Sequence, residues 1–175
     1  MPELPEVETT VCDLKKKVLG RTFIDVWLNS PKIIKKPTIF LEFKNQLKGK
    51  RILAIWRAGK NVIFDLSGGM SLLIHQKMTG HLLYGQWKMK DGKWISQETG
   101  ALRDDPANRF LHLIFWLDNG YQIALSDLRK FAKVELWPTF DLKNSKIIKE
   151  LGPDALEQSL SFEKFKEILK KKRGK

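Results

Sequence analysis

Residues 51–75 read RILAIWRAGKNVIFDLSGGMSLLIH. Three short runs rich in Ile, Val, Leu and Phe are separated by Ala58-Gly59-Lys60 and by Ser67-Gly68-Gly69. Runs of this length, bounded by glycine, have the signature of β-strands rather than of helices. Ser-Gly-Gly is tight-turn chemistry, so the strands on either side of it should run antiparallel. Outward from this stretch the pattern repeats in TFIDVWLN and TIFLEFK before it and in FLHLIFWLDNG, YQIALSD and KVELW after it, with Asp118-Asn119-Gly120 as a second tight turn. The expected fold is mainly β with some α: a β-sandwich or flattened barrel of mostly antiparallel strands. Residues Pro5 to Leu19 differ in period. Val7, Val11, Leu14 and Val18 recur at helical spacing, acids lie in the first turn, lysines in the last, and Gly20 follows. That predicts an N-terminal helix whose charges match its dipole. Between Tyr84 and Asn108 the chain is polar and irregular, which predicts a long surface excursion.

After Pro138 the character changes again. LKNSKIIKELGPDAL leads to SFEKFKEILKKKRGK, where Ser161 is placed to cap a helix carrying Phe162, Phe165, Ile168 and Leu169 on one face. The expected division is a sandwich domain over residues 1–137 and, over 138–175, a linker and the first helix of a second, helical domain inside which the chain stops. The apolar face of that helix has no sequence partner to cover it.

Composition narrows the classes. With 32 Lys+Arg against 20 Asp+Glu the 175-residue chain carries a formal charge of +12, and a 42% hydrophobic fraction with ten Phe and six Trp can fill a core. A disordered basic tail is excluded. No apolar run approaches the roughly 20 residues a membrane helix needs, and MPELPEVE is not a secretory signal. Cys12 is the only cysteine and falls in the predicted helix, which excludes a disulfide framework and a cysteine-based zinc site within the chain. The positive surplus points to a polyanion, nucleic acid before anionic membrane.

The first residues carry chemistry. Removal of Met1 before the small residue Pro2 leaves a secondary α-amine, which is far more nucleophilic at neutral pH than a lysine because its ordinary pKa is roughly 7.7–8.0. Condensed with a sugar aldehyde carbon, such an amine gives an iminium with no N–H proton to lose, a persistent electron sink. Glu3 is placed to move protons and Glu6 to support the amine. Equally, PELPEVE is an ordinary proline-and-acid helix start.

MPELPEVETT resembles the N-terminus of the formamidopyrimidine-DNA glycosylases, bacterial base-excision enzymes for oxidised purines. WRAGKNVIFDL resembles the family's lysine-bearing segment, IHQKMTGHL its His-x-x-Met-x-Gly loop, SDLRKFA its Asp-x-Arg-x-Phe-Gly loop and LGPDAL its hinge into a helical domain. The resemblance implies Pro2 as nucleophile, Glu3 as general acid/base, Glu6 as a supporting acid and Lys60 as a catalytic-site lysine. It implies Met78, Arg129 and Phe131 as the three residues entering the space left by an everted base, with His75 and Arg109 on DNA phosphate. Blander readings stand beside these: Lys60 as a solvated turn, Met78 and Phe131 as core, and His75 or His112 as hydrogen-bonded strand histidines. Lys15 to Lys17 and Lys170 to Arg173 read as solvated helix faces. Departures are Ala132 in place of the loop's glycine, and Gln76 where an apolar residue is usual.

The resemblance implies double-stranded DNA with oxidised bases or abasic sites as partner, a monomer, and a bacterial cytoplasmic, nucleoid-associated location. It implies glycosylase and abasic-site lyase activities through a proline Schiff base. No cofactor is expected within the chain, and the family's structural zinc would lie in a C-terminal part beyond Lys175. Two rivals are an endonuclease VIII-like glycosylase for oxidised pyrimidines, disfavoured by Leu4 and Val7, and a non-catalytic module that binds damaged DNA.

Overall fold

The computed structural model describes residues 2–154, 156 and 160–171. It contains α1 (Leu4–Val18), β1 (Phe23–Leu28), β2 (Ile34–Lys36), α2 (Phe40–Leu47), β3 (Ile52–Ala58), β4 (Asn61–Leu66), β5 (Met70–His75), β6 (Gly80–Gly85), β7 (Trp87–Lys90), β8 (Lys93–Ser96), β9 (Leu111–Leu117), β10 (Gln122–Asp127), β11 (Lys133–Pro138), α3 (Thr139–Asn144), α4 (Lys146–Lys149) and α5 (Phe162–Lys171). One sheet has the order β1-β9-β10-β6 and the other β2-β11-β5-β4-β3. Every pairing is antiparallel except β2 with β11. Both expected tight turns join antiparallel neighbours, with Gly68, Gly69 and Gly120 at positive φ.

A single core lies between the sheets. Phe23, Phe115, Ile123 and Leu125 meet Ile55, Phe64, Leu72 and Val134, and α1 adds Val7, Val11, Leu14 and Val18. Phe23 stands 5.5 Å from Phe115 and 6.5 Å from Phe64, ring centre to ring centre, and so bridges the layers. The outer faces are also covered. Ile63 and Leu73 pack under Leu142 of α3, while Ile114 and Ala124 pack with Trp87, Trp27 and Trp94 beneath the β7–β8 hairpin. Burial on both faces explains why FLHLIFWL and NVIFDL read as continuous apolar runs instead of alternating ones.

Two expectations are corrected. TIFLEFK is not a strand: its second half opens α2, with Phe43 and Leu47 fully buried one turn apart and the Gln46 amide donating to Glu42 Oε1 at 2.9 Å. Ile39 and Leu41 are exposed, so the apparent strand-like run has no second sheet face to fill. The excursion after Tyr84 is more ordered than its polarity suggests, because Trp87 and Trp94 draw a hairpin down onto β9 and β10. Strands β2 and β6 also escaped the sequence reading. Ser161 Oγ accepts from the Lys164 amide at 3.2 Å and starts α5 as expected, and Phe162, Phe165 and Leu169 stay exposed. Met1 and Lys172 to Lys175 lie outside the described residues.

Candidate active site

The N-terminal segment meets the β3–β4 turn. Glu3 precedes α1, and its amide donates to Glu6 Oε2 at 2.5 Å, so Glu6 closes the first turn of the helix. Gly59 turns the chain at φ +57° and thereby presents Lys60, whose Nζ lies 2.6 Å from Glu3 Oε2. The hydrogen bond from Lys60 holds the Glu3 carboxyl below its ordinary range, so Glu3 is ionised at neutral pH. Pro2 is half-buried and lines a cleft of about 390 Å³ together with Glu6, Thr10, Gln76, Met78, Thr79 and His81.

The β5–β6 loop lines this cleft and is tied to a second loop. The β5–β6 loop carries Met78 and the β10–β11 loop carries Arg129 and Phe131; Met78 and Phe131 are 45% and 48% exposed, which removes their core reading. The Arg129 Nη1 donates to Met78 Sδ at 3.1 Å, and its guanidinium carbon sits 4.6 Å from the Phe131 ring centre. Three side chains from two loops thus form one projecting wedge. Asp127, fully buried, holds the loops together. Thr79 Oγ1 donates to its Oδ1 at 2.5 Å, the Arg129 amide to Oδ1 at 3.2 Å and the Ala132 amide to Oδ2 at 2.7 Å. Sequence reasoning placed no role on Asp127 or Thr79, although both stand inside the two loop motifs. Their signal is a carboxylate and a hydroxyl beside loop residues that must be held without secondary structure.

Ala132 is buried and its amide is anchored on Asp127, while the positive φ of this loop falls on Lys130 at +57°. The loop therefore tolerates alanine in place of glycine. Gln76 is 3% exposed and its Oε1 is buried without a hydrogen-bond partner among the described residues. Gly80 is required: a Cβ there would lie 2.3 Å from the Gln76 carbonyl oxygen.

His75 ends β5, and its Nδ1 accepts from the Lys77 amide at 3.0 Å. Burial, reinforced by Lys77, Lys133 and Lys60, lowers its pKa to about 4. The ring is neutral at pH 7 with Nε2–H as its free donor, suited to a phosphate oxygen by hydrogen bonding rather than by charge. His112 is a buried strand histidine whose Nδ1 is 3.1 Å from Asn29 Oδ1. Arg109 is exposed and lines a separate pocket with Trp27, Asn29 and Trp94, apart from the Pro2 cleft.

No three ligating side chains cluster among the described residues, and the lone thiol of Cys12 is exposed on α1. These residues do not fit a four-cysteine zinc site. No described helix is long and apolar enough to cross a membrane.

The family model of the formamidopyrimidine-DNA glycosylase N-terminal domain matches residues 1–134. A formamidopyrimidine-DNA glycosylase of Pelotomaculum thermopropionicum is 37% identical over 175 residues, covering all of this chain and 57% of its own length. One from Desulforamulus reducens is 35% identical over 174 residues, covering 99% of this chain and again 57% of its own. Among solved structures, the Lactococcus lactis Fpg bound to abasic-site DNA superposes with a TM-score of 0.76 at 28% identity, covering 97% of this chain and 57% of that one. The same Lactococcus protein with Fapy-dG-containing DNA matches with the same TM-score. The chain thus spans 57% of the length of the relatives it matches first.

Proposed function

Since the chain belongs to the formamidopyrimidine-DNA glycosylase family through its N-terminal domain, we propose that it supplies the catalytic lobe of a DNA glycosylase for oxidised purines, with abasic-site lyase activity. Residues 1–137 are the catalytic unit in this reading, and 138–175 begin a helical DNA-binding unit. The observation that carries it is the Glu3–Lys60 pair at 2.6 Å next to Pro2, whose cleft Met78 of the Met78–Arg129–Phe131 wedge also lines.

The reaction follows from these groups. Once Met1 is removed, the Pro2 nitrogen attacks the sugar C1′ and the C1′–base bond breaks, its electron pair leaving with the base, which takes a proton from water. The Pro2 N–H proton passes through Glu3 to O4′ as the C1′–O4′ bond opens, giving the C4′ hydroxyl and an iminium at C1′, and this iminium acidifies the C2′ hydrogen. Glu3, ionised beside Lys60, accepts that proton, and the C3′–O bond breaks with loss of the 3′ phosphate; a second elimination releases the 5′ side. Lys60 and the His75 Nε2–H hold phosphate oxygens of the extruded nucleotide. Glu6 supports the amine, and Arg109 contacts phosphate at a distance from the chemistry. Met78 and Phe131 fill the vacated stack while Arg129 hydrogen-bonds the orphaned base. These steps need no metal or organic cofactor.

Borohydride reduction during incubation with an 8-oxoguanine duplex, and separately with an abasic duplex, tests the reading on chain of verified mass lacking Met1. A covalent protein–DNA adduct that disappears in Pro2→Gly protein retaining Met1 is the expected result. Absence of adduct on both duplexes overturns it. The second reading, a binding module without catalysis, applies to a chain that keeps Met1, because Met1 locks the Pro2 nitrogen in a peptide bond. Duplex binding without trapping would establish it.

A further inference from the structure

A second pocket, of about 460 Å³, shares Met78 with the Pro2 cleft but is otherwise lined by different residues: Lys32, Lys35, Lys77, Lys130, Phe131 and Ala132. Four lysines face it and no acid does. None of the four forms an ion pair among the described residues. They come from four separate places: Lys32 from the 3-10 turn Pro31–Ile33, Lys35 from β2, and Lys77 and Lys130 from the tips of the two wedge loops. Both loop-tip lysines have left-handed backbone, φ +56° and +57°. That conformation is unfavourable for a non-glycine residue. It is held by the Lys77 amide on His75 Nδ1 and by the Lys130 amide on the Asp127 carbonyl at 3.1 Å. The positive field reaches inward: besides burial, Lys77 lowers the pKa of His75, and Lys130 and Lys32 lower that of His112.

Met78 is a wall of both this pocket and the Pro2 cleft. A wedge standing in a duplex at an everted nucleotide separates the strand that has lost its base from the strand that keeps its partner base. If the first strand lies in the Pro2 cleft, the second passes the lysine side.

We propose that the Lys32–Lys35–Lys77–Lys130 pocket is a phosphate site for the DNA strand opposite the lesion. This rests on the proposed function and adds to it a strand-specific anchor on residues outside the chemistry. The lysines draw the intact strand's backbone against the wedge, so that Arg129 and Phe131 meet the orphaned base in register.

The test is duplex binding by fluorescence anisotropy, with a tetrahydrofuran abasic-site analogue in the lesion strand and a salt titration. Lys32→Ala/Lys35→Ala alters only exposed side chains, and its circular dichroism and melting curve should match those of the unaltered chain. The slope of log affinity against log salt should fall by about 0.9 for each phosphate that the double variant no longer neutralises. Neutralising the facing phosphates of the opposite strand as methylphosphonates should weaken binding by the unaltered chain and cause a smaller further loss in the double variant, which keeps only Lys77 and Lys130 at the site. The same neutralisation in the lesion strand should weaken both proteins alike. An unchanged slope, or a methylphosphonate loss that adds in full to that of the double variant, overturns the strand assignment and leaves the glycosylase reading standing. Failure of the unaltered chain to bind the duplex overturns both.

Discussion

At Asp127 a single buried carboxylate sets the geometry of both wedge loops. Asp127→Ala leaves the Ala132 amide buried without an acceptor and frees Thr79 and Arg129 from each other. The expected cost is about 2–4 kcal/mol, read as a lower urea midpoint with unchanged m. Gln76 is the reverse case, because its orphaned Oε1 already carries a desolvation cost. Gln76→Leu should stabilise the fold by about 1 kcal/mol in the same titration; a fall of that size would show that the amide has a partner. His75 predicts a pH dependence with a definite sign. Its folded pKa, about 4, lies below the ordinary value of 6.5, so the folded state binds fewer protons between the two. The stability it contributes is complete above pH 6.5 and is lost as pH falls through 4. Protonation also removes the Nδ1 acceptor used by the Lys77 amide. After allowance for solvent screening of a half-buried ring, the loss is about 1–2 kcal/mol. The difference in melting temperature between pH 7 and pH 4 should therefore shrink in His75→Asn.

Among elements, the β5–β6 connection has the least room. A Cβ at Gly80 would collide with the Gln76 carbonyl, and the Gly80 amide bonds that same oxygen at 3.0 Å. Gly80→Ala should shift Met78 away from Arg129 and weaken binding to an abasic-analogue duplex on the order of tenfold, with a smaller effect on melting temperature. Equal binding would mean that the loop opens freely. The strands that the sequence disclosed, β1, β3, β4, β5, β9, β10 and β11, are apolar runs set off by Gly, Asn, Asp or Pro. The sequence misled at α2, where Phe40, Leu41 and Phe43 mimic a strand and only the packing of Phe43 with Leu47 reveals the period. It was silent on β7 and β8, whose order comes from long-range contacts of Trp87 and Trp94 rather than from local pattern. At the site, Pro2, Glu3, Lys60 and the wedge were legible because they sit in contiguous strings. The Thr79–Asp127 tie joins residues 48 apart, and the lysine pocket brings Lys32 and Lys35 to loop tips that follow them by more than 40 residues at Lys77 and by more than 90 at Lys130. Neither local period nor local composition encodes such pairings.

Across the whole molecule, Arg57 connects the parts that make the site. Its side chain is 5% exposed and lies in ion pairs with Glu8 of α1 at 2.7 Å and with Asp154 at 2.6 Å. Its Nη1 also donates to the carbonyl of Gly59 at 3.0 Å, in the turn that presents Lys60. One guanidinium thus fixes the helix that Glu3 caps, the turn that carries Lys60 and the segment around Asp154. A lysine cannot serve all three, because its compact ammonium lacks the planar fork. Arg57→Met removes a nearly buried cation from two partly shielded carboxylates and should cost about 2–3 kcal/mol. The larger effect should fall on the chemistry. With Pro2, Glu3 and Lys60 all present but their supports uncoupled, borohydride trapping on an abasic duplex should slow on the order of tenfold at a temperature where the variant is fully folded, and Arg57→Lys should restore only part of it. Duplex affinity should change far less, since Arg57 is buried and meets no phosphate. Trapping at the full rate in folded Arg57→Met protein would show that the Glu3–Lys60 pair forms without this support, and would reduce the network to a purely stabilising one.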